Sequence, residues 1–447
     1  MRNNFSKLGF APIARPTFDV ELARTMTAQA RESLQGAGLT LIAPDDLIMD
    51  MSGITAAIAL FEDEAPDLLI LFQASFADSA MALRLMESVD APLLLWAIPE
   101  ERVGGRLRLN SFCGINLAGH GLTRAGYTYE YIYAAPDDAT ALRKIEAIAR
   151  AAVVKKRLQS ARIGRVGVNP DGFDTCLVNQ NGLKTALGLD IVQLELADVF
   201  TKTRTTNPAK VGAIAEQVKA RVAGVDALDQ TATNGTLGAY VTLNDMAETQ
   251  KLDGLAVRCW PEFFTELGCS ACGAMSMLSD KMTPCSCEAD VNGTITQLIL
   301  QWLSGEAAFG SDLASFDVDE DIAILWHCGL APLSMADPDV QPQATIHSNR
   351  KMPLLMEFPL KPGRVTLARL SEATGEFRLV IGGGEMIKAP PSFTGTTGTV
   401  RFDSGAQAVM DTIMNEGLEH HLSLTYGDHR EALVALAKML DMPTLML

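Results

Sequence analysis

Asp67-Leu68-Leu69-Ile70-Leu71-Phe72 reads as an extended apolar segment; a helical stretch, Asp78–Val89, follows it, and a second apolar strand, Pro92–Ile98, comes next. Upstream the same rhythm appears as a helix near Val20–Gln35, a strand at Leu39–Ile42 and a helix near Gly53–Glu64. Alternation of this kind from Phe18 to about Ala134 argues a parallel sheet with helices on its faces. A charged helix around Ala139–Lys156 then leads out of this domain.

The pattern restarts at Ala161–Val168 and continues through a strand at Asp190–Leu196, a helix near Ala209–Val222 and a strand at Gly254–Cys259. Beyond about Asp319 the texture changes to extended pieces such as Ile322–Trp326, Met356–Leu360 and Phe377–Ile381, with one helical signal near Arg430–Leu440. The expected class is therefore α/β: two doubly wound parallel α/β domains, residues 1–158 and 159–318, followed by a mainly β, barrel-like domain, residues 319–447.

The 447 residues are 48% hydrophobic, 20% charged and 6% aromatic, an ordinary globular balance. The net charge of −17, from 37 basic and 54 acidic residues without a basic run to offset it, speaks against a nucleic-acid partner. Met1–Ser6 lacks the apolar core of a signal peptide, and the longest apolar runs are far too short to span a bilayer. A cytoplasmic protein without a membrane partner is expected, with its eight cysteines reduced.

Two close cysteine pairs, Cys269/Cys272 and Cys285/Cys287, admit a zinc or redox reading, but the second pair is spaced too tightly for a zinc knuckle. Buried small hydrophobes are the expected role. Gly382-Gly383-Gly384 and the Gly395–Gly398 loop lack the strand–helix context of a phosphate cradle and read as tight turns. The stronger signal is Cys287-Glu288-Ala289-Asp290-Val291-Asn292-Gly293, which places two acids at the mouth of the apolar helix Ile295–Leu303. Asp290 is expected to cap that helix, leaving Glu288 for other work. Asp312, the segment Trp326-His327-Cys328-Gly329 and the adjacent pair His420-His421 add one carboxylate and three of the six histidines. Carboxylate oxygens with one or two imidazoles suit a divalent cation such as Mn²⁺.

Cys287-Glu288-x-Asp290-x-x-Gly293, Phe309-x-x-Asp312 and Trp326-His327-Cys328-Gly329 together resemble the superfamily of L-fucose and L-arabinose isomerases, metal-dependent aldose–ketose isomerases. The resemblance implies Mn²⁺, with Mg²⁺ or Co²⁺ as alternatives, held by Glu288, Asp312 and His421, with His327 as a further ligand or a neighbour of the metal. It also implies that His420 faces the substrate and that His120 reaches a neighbouring subunit's site, making the functional unit a homo-oligomer with active sites near its interfaces. In such a reaction the cation polarises the carbonyl, and Glu288 and Asp312 share the proton transfer between C2 and C1. A hydride shift would use the same metal without solvent exchange.

Trp260 and Glu262, after the Gly254–Cys259 strand, are expected sugar contacts, as are Gln73 and Trp96 at the ends of their strands. The chain is shorter than typical fucose or arabinose isomerases, so the loops that choose the sugar are expected to differ. Deoxyhexoses, pentoses and hexoses with an anionic group at C6 all remain open, and Arg102, Arg106 and Arg108 could meet such an anion. The competing readings are a non-catalytic sugar-binding protein and a metal-assisted hydrolase using the same ligands.

Overall fold

A computed structural model describes residues 7–447. The described residues divide into two compact units, one of residues up to 157 with 431–441 and one of residues 158–430 with 442–447.

The first unit is built on five parallel strands: β1 (Lys7–Ile13), β2 (Thr40–Ile42), β3 (Leu68–Gln73), β4 (Leu93–Ala97) and β5 (Glu130–Tyr133), in the order β2-β1-β3-β4-β5. Aspartates start several of its helices, Asp19 accepting from Leu22 N, Asp50 from Gly53 N and Asp78 from Ala80 N. The Phe10, Phe72 and Trp96 rings pack in series across the sheet with centres 5.4 and 5.0 Å apart, the first pair tilted and the second edge-to-face. Strand β1, next to the middle of the sheet, begins before the Phe18 boundary expected from the alternation. Its Gly9 and Pro12 hide the strand pattern, yet a Cβ on Gly9 would lie 2.6 Å from Leu69 Cδ2, so the pairing with β3 leaves no room for a side chain there.

The second unit holds a parallel sheet of β6 (Arg162–Val166), β7 (Asp190–Leu194), β8 (Gly254–Val257) and β9 (Cys285–Ser286), in the order β7-β6-β8-β9. It also holds an antiparallel barrel. Strands β10 (Phe309–Asp317), β11 (Ile322–His327), β12 (Gln343–Thr345), β13 (Leu355–Pro359), β14 (Gly363–Ser371), β15 (Arg378–Ile387), β16 (Thr396–Phe402), β17 (His421–Tyr426) and β18 (Thr444–Met446) form one sheet. Its middle closes on itself as β16-β11-β10-β17-β14-β15 through a β15–β16 pairing. Closure leaves these six strands without the free edges that they would carry in an open sheet.

Further details depart from the sequence reading. Gly382–Gly384 lie inside β15 rather than in a turn, because the closing strands leave no space: a Cβ on Gly384 would meet Arg401 O at 2.5 Å. Asp312 sits on a barrel strand, because Phe309–Asp317 pairs with β11 and β17 and not with the parallel sheet. Cys269, Cys272, Cys285 and Cys287 are buried as expected, and of the eight cysteines only Cys113 is exposed. Among the described residues no helix is long and apolar enough to cross a membrane.

Candidate active site

Barrel register alone brings three ligand-type residues together. Asp312 on β10 lies opposite His421 on β17 and opposite Trp326 on β11, with His327 one residue further along. The fourth residue comes from the parallel sheet. After β9 the chain turns through Glu288 and Ala289, both left-handed (φ 60° and 54°), before the helix Val291–Ser304 begins. Left-handed backbone is unusual away from glycine and is held only where surrounding structure enforces it. Here it turns Glu288 out of the strand direction and toward the histidines.

Asp290 does cap the helix, its Oδ1 accepting from Gly293 N at 2.9 Å. It also receives Arg369 Nη1 at 2.5 Å and Nη2 at 3.1 Å, and its Oδ2 lies 2.8 Å from His421 Nδ1. Both charges are essentially sealed from solvent, Asp290 at 1% and Arg369 at 2% side-chain exposure. Gly293 is required beside them: a Cβ there would fall 2.4 Å from Asp290 Oδ2. Burial alone would push the Asp290 carboxyl up, but Arg369 and His421 outweigh it and hold it well below the usual carboxylate range. The same carboxylate, with Asp312 and Glu288, more than offsets burial at His421 and raises its pKa.

With Nδ1 bound to Asp290, His421 turns Nε2 toward the other acids, 3.7 Å from Glu288 Oε2 and 3.5 Å from Asp312 Oδ1. Glu288 is further fixed by Trp260 Nε1, which donates to Oε1 at 3.2 Å, and by His420 Nε2, 3.2 Å from Oε2. His420 in turn shares a 2.7 Å hydrogen bond with Thr175 Oγ1. Burial raises the Glu288 pKa, but these contacts prevail and leave it ionised below the usual range. The backbone N–H of Cys328 donates to His327 Nδ1 at 2.9 Å, so the neutral ring carries its proton on Nε2.

Among the described residues, two groups of side chains could hold a metal ion: Asp312, His327 and His421, and Cys176, Glu288, His420 and His421. The donor set fits a divalent cation. Asp312 Oδ1 is buried without a hydrogen-bond partner, and a carboxylate–histidine pair such as Asp290–His421 is the usual support behind a ligating imidazole. Asp290 therefore does more than cap the helix as the sequence suggested: it also joins Arg369 to His421. No local signal announces this, because Arg369 and His421 lie 79 and 131 residues away.

Family models match both ends of the chain: the fucose/sulfoquinovose isomerase N-terminal domain over residues 9–159 and the L-fucose isomerase C-terminal domain over residues 325–447. The sulfoquinovose isomerase of Priestia aryabhattai is 31% identical over 438 residues, covering 97% of this chain and 98% of that protein. The chain belongs to the fucose/sulfoquinovose isomerase family. A second relative in this family, the sulfoquinovose isomerase of Alkalicoccus urumqiensis, is 29% identical over 441 residues, 97% of this chain and 98% of its own. As a member of the fucose/sulfoquinovose isomerases this protein is an enzyme, an aldose–ketose isomerase. A periplasmic solute-binding protein from Actinobacillus succinogenes 130z with bound D-allose overlaps 67% of this chain and 92% of its own at 12% identity. Its TM-score of 0.19 carries no argument for a sugar-binding role.

In this isomerase Glu288, Asp312, His327, His420, His421 and Trp260 gather in the second unit. Glu262 lies near them in sequence but is spent on Arg258, whose Nε approaches both carboxylate oxygens at 2.9 and 2.8 Å. Gln73, Trp96 and His120 belong to the first unit. Gln73 is fully buried, with Nε2 on Ala77 O at 3.4 Å and Oε1 unpaired. His120 is exposed on the helix Ser111–Arg124. Arg108 pairs with Asp19 at 3.0 Å, while Arg102 and Arg106 point from an exposed loop.

Trp96 is fully buried against Phe72, and its indole N–H donates to Ala134 O at 3.1 Å. Trp96→Phe is expected to cost about 1–3 kcal/mol of stability, from lost volume and an unpaired carbonyl. Urea unfolding measures this; a near-zero cost accompanied by a raised KM would instead assign the indole to the sugar.

Proposed function

We propose that this isomerase converts sulfoquinovose, an aldohexose with a sulfonate at C6, into its ketose, using Mn²⁺ held by Glu288, Asp312 and His421. The observation that carries the ligand set is the meeting of His421 Nε2 with Glu288 and Asp312 at 3.7 and 3.5 Å, beside the orphaned Asp312 Oδ1. The substrate is supported by the names of the relatives that match nearly the whole chain. When bound, the cation supplies positive charge that polarises the sugar carbonyl.

The remaining chemistry falls to side chains. Glu288, ionised and fixed by Trp260 and His420, accepts the C2 proton in this reading, and Glu288 and Asp312 share its return to C1 and the passage of the O2 hydroxyl proton to O1. His420, with 37% of its side chain exposed, offers its ring to a sugar hydroxyl. His327 has Nδ1 occupied by the Cys328 amide, so we assign it as an Nε2 donor beside Asp312 rather than as a ligand. The exposed His120 supports a homo-oligomer in which that ring is offered to a neighbouring copy.

Stripping the protein with a chelator is expected to abolish ketose formation from sulfoquinovose, and added Mn²⁺ to restore it, with Mg²⁺ and Co²⁺ compared alongside. Calorimetry should show one Mn²⁺ bound per chain. Full activity in chelator together with no Mn²⁺ binding would remove the metal from the proposal.

A further inference from the structure

Most buried or half-buried arginines of the second unit are neutralised by acids: Arg258 by Glu262, Arg369 by Asp290 and Arg378 by Glu416. Arg350 is different. Its guanidinium lies over the Trp260 ring at 4.7 Å and the Phe264 ring at 5.3 Å, and its Nη1 is 3.1 Å from His347 Nε2. His347 is itself set edge-on to Phe264, with ring centres 5.4 Å apart. Burial and the neighbouring guanidinium hold His347 down to about 4, so at neutral pH the imidazole is uncharged and does not neutralise Arg350. Among the described residues no carboxylate forms an ion pair with Arg350.

A guanidinium positioned by two aromatic faces and a neutral imidazole is fixed in direction but keeps its charge and most of its donor fork for an outside anion. Its place beside the reaction centre is set by one residue. The Trp260 ring that carries Arg350 donates its N–H to Glu288 Oε1 at 3.2 Å.

We infer that Arg350 is the specificity-determining residue of this isomerase, binding the anionic group at the far end of the sugar, the C6 sulfonate. The inference rests on the proposed reading of Glu288 as part of the catalytic centre and of a C6-sulfonated substrate. The three arginines of the first unit that the sequence suggested for this task are not needed. A planar fork matches the tetrahedral oxygens of a sulfonate, as it does those of a phosphate.

The test compares kcat/KM for sulfoquinovose and for its uncharged 6-deoxy counterpart, using the full-length Mn²⁺-loaded wild type, Arg350→Met and Arg350→Lys. In Arg350→Met the preference for the sulfonated sugar is expected to fall about 10–100-fold, the worth of a hydrogen-bonded charge. Arg350→Lys, which keeps the charge and the aromatic contacts but loses the fork, is expected to fall between Arg350→Met and wild type, and reads the same ratio if the methionine variant does not fold. A merely structural role would lower both sugars together and leave the ratio in place, overturning the inference. So would a wild-type preference that survives in both variants while the isomerase reading stands. A wild type that shows no preference for the sulfonated sugar overturns the substrate reading and this inference with it.

Discussion

Glu288→Gln is expected to lower kcat for ketose formation by about 10²–10⁴-fold, the range associated with removing a positioned base. The substitution is nearly isosteric, and the new amide oxygen can still accept from Trp260 Nε1. What disappears is the negative charge facing His421 and His420. Affinity for Mn²⁺ should fall as well, so the variant is assayed at saturating Mn²⁺ and its binding is measured separately by calorimetry. A kcat within tenfold of wild type at saturating metal and sugar would move the proton transfer from Glu288 to Asp312.

The second large effect concerns the pair behind the ligands. Arg369→Met leaves Asp290 buried and charged without its guanidinium, a type of change that costs about 3–5 kcal/mol. Removing both charges, with Arg369→Met and Asp290→Asn together, should recover part of that loss, because the cost comes from the uncompensated charge rather than from the missing attraction. Function is expected to separate Arg369→Met, which keeps the Asp290 carboxylate, from the Asp290→Asn single and the double. Asp290→Asn also weakens the support of His421 Nδ1, and loss of such support usually costs about 10–100-fold in metal affinity. Equilibrium urea unfolding together with Mn²⁺ titration of the three variants reads both quantities. A double variant less stable than either single would show that the pair is net stabilising and overturn the argument.

The parts of this molecule that sequence made legible are those carried by local pattern. The strands around Leu68–Gln73 and Leu93–Ala97 and the helices between them lie within a residue or two of where alternation puts them. Glu288 could be singled out because the acids, the glycine and the apolar helix are contiguous. Its left-handed backbone could not, since neither Glu288 nor Ala289 is a residue type that signals it. Arg369 and Arg350 gave no signal, each being one arginine among many until the fold surrounds the first with Asp290 and Thr175 and the second with Trp260, Phe264 and His347. The triple glycine misled for the opposite reason: its composition is that of a turn, but the requirement it meets is steric, coming at Gly384 from Arg401 on a strand that closes the barrel and at Gly383 from Arg364 and Arg430.

Neither unit is continuous along the chain: residues 431–441 belong with the first, and residues 442–447 return to the second. The returning helix, Arg430–Met439, buries Leu433 and Leu436 completely and sets Lys438 3.0 Å from Glu130. During synthesis, the first 157 residues therefore leave the ribosome without a piece of their own core. At about 5–20 residues per second, the 284 residues between 157 and 441 take about 15–60 s to make. For that interval the nascent N-terminal unit presents the apolar surface that this helix later covers, and a fragment ending at residue 157 presents it permanently.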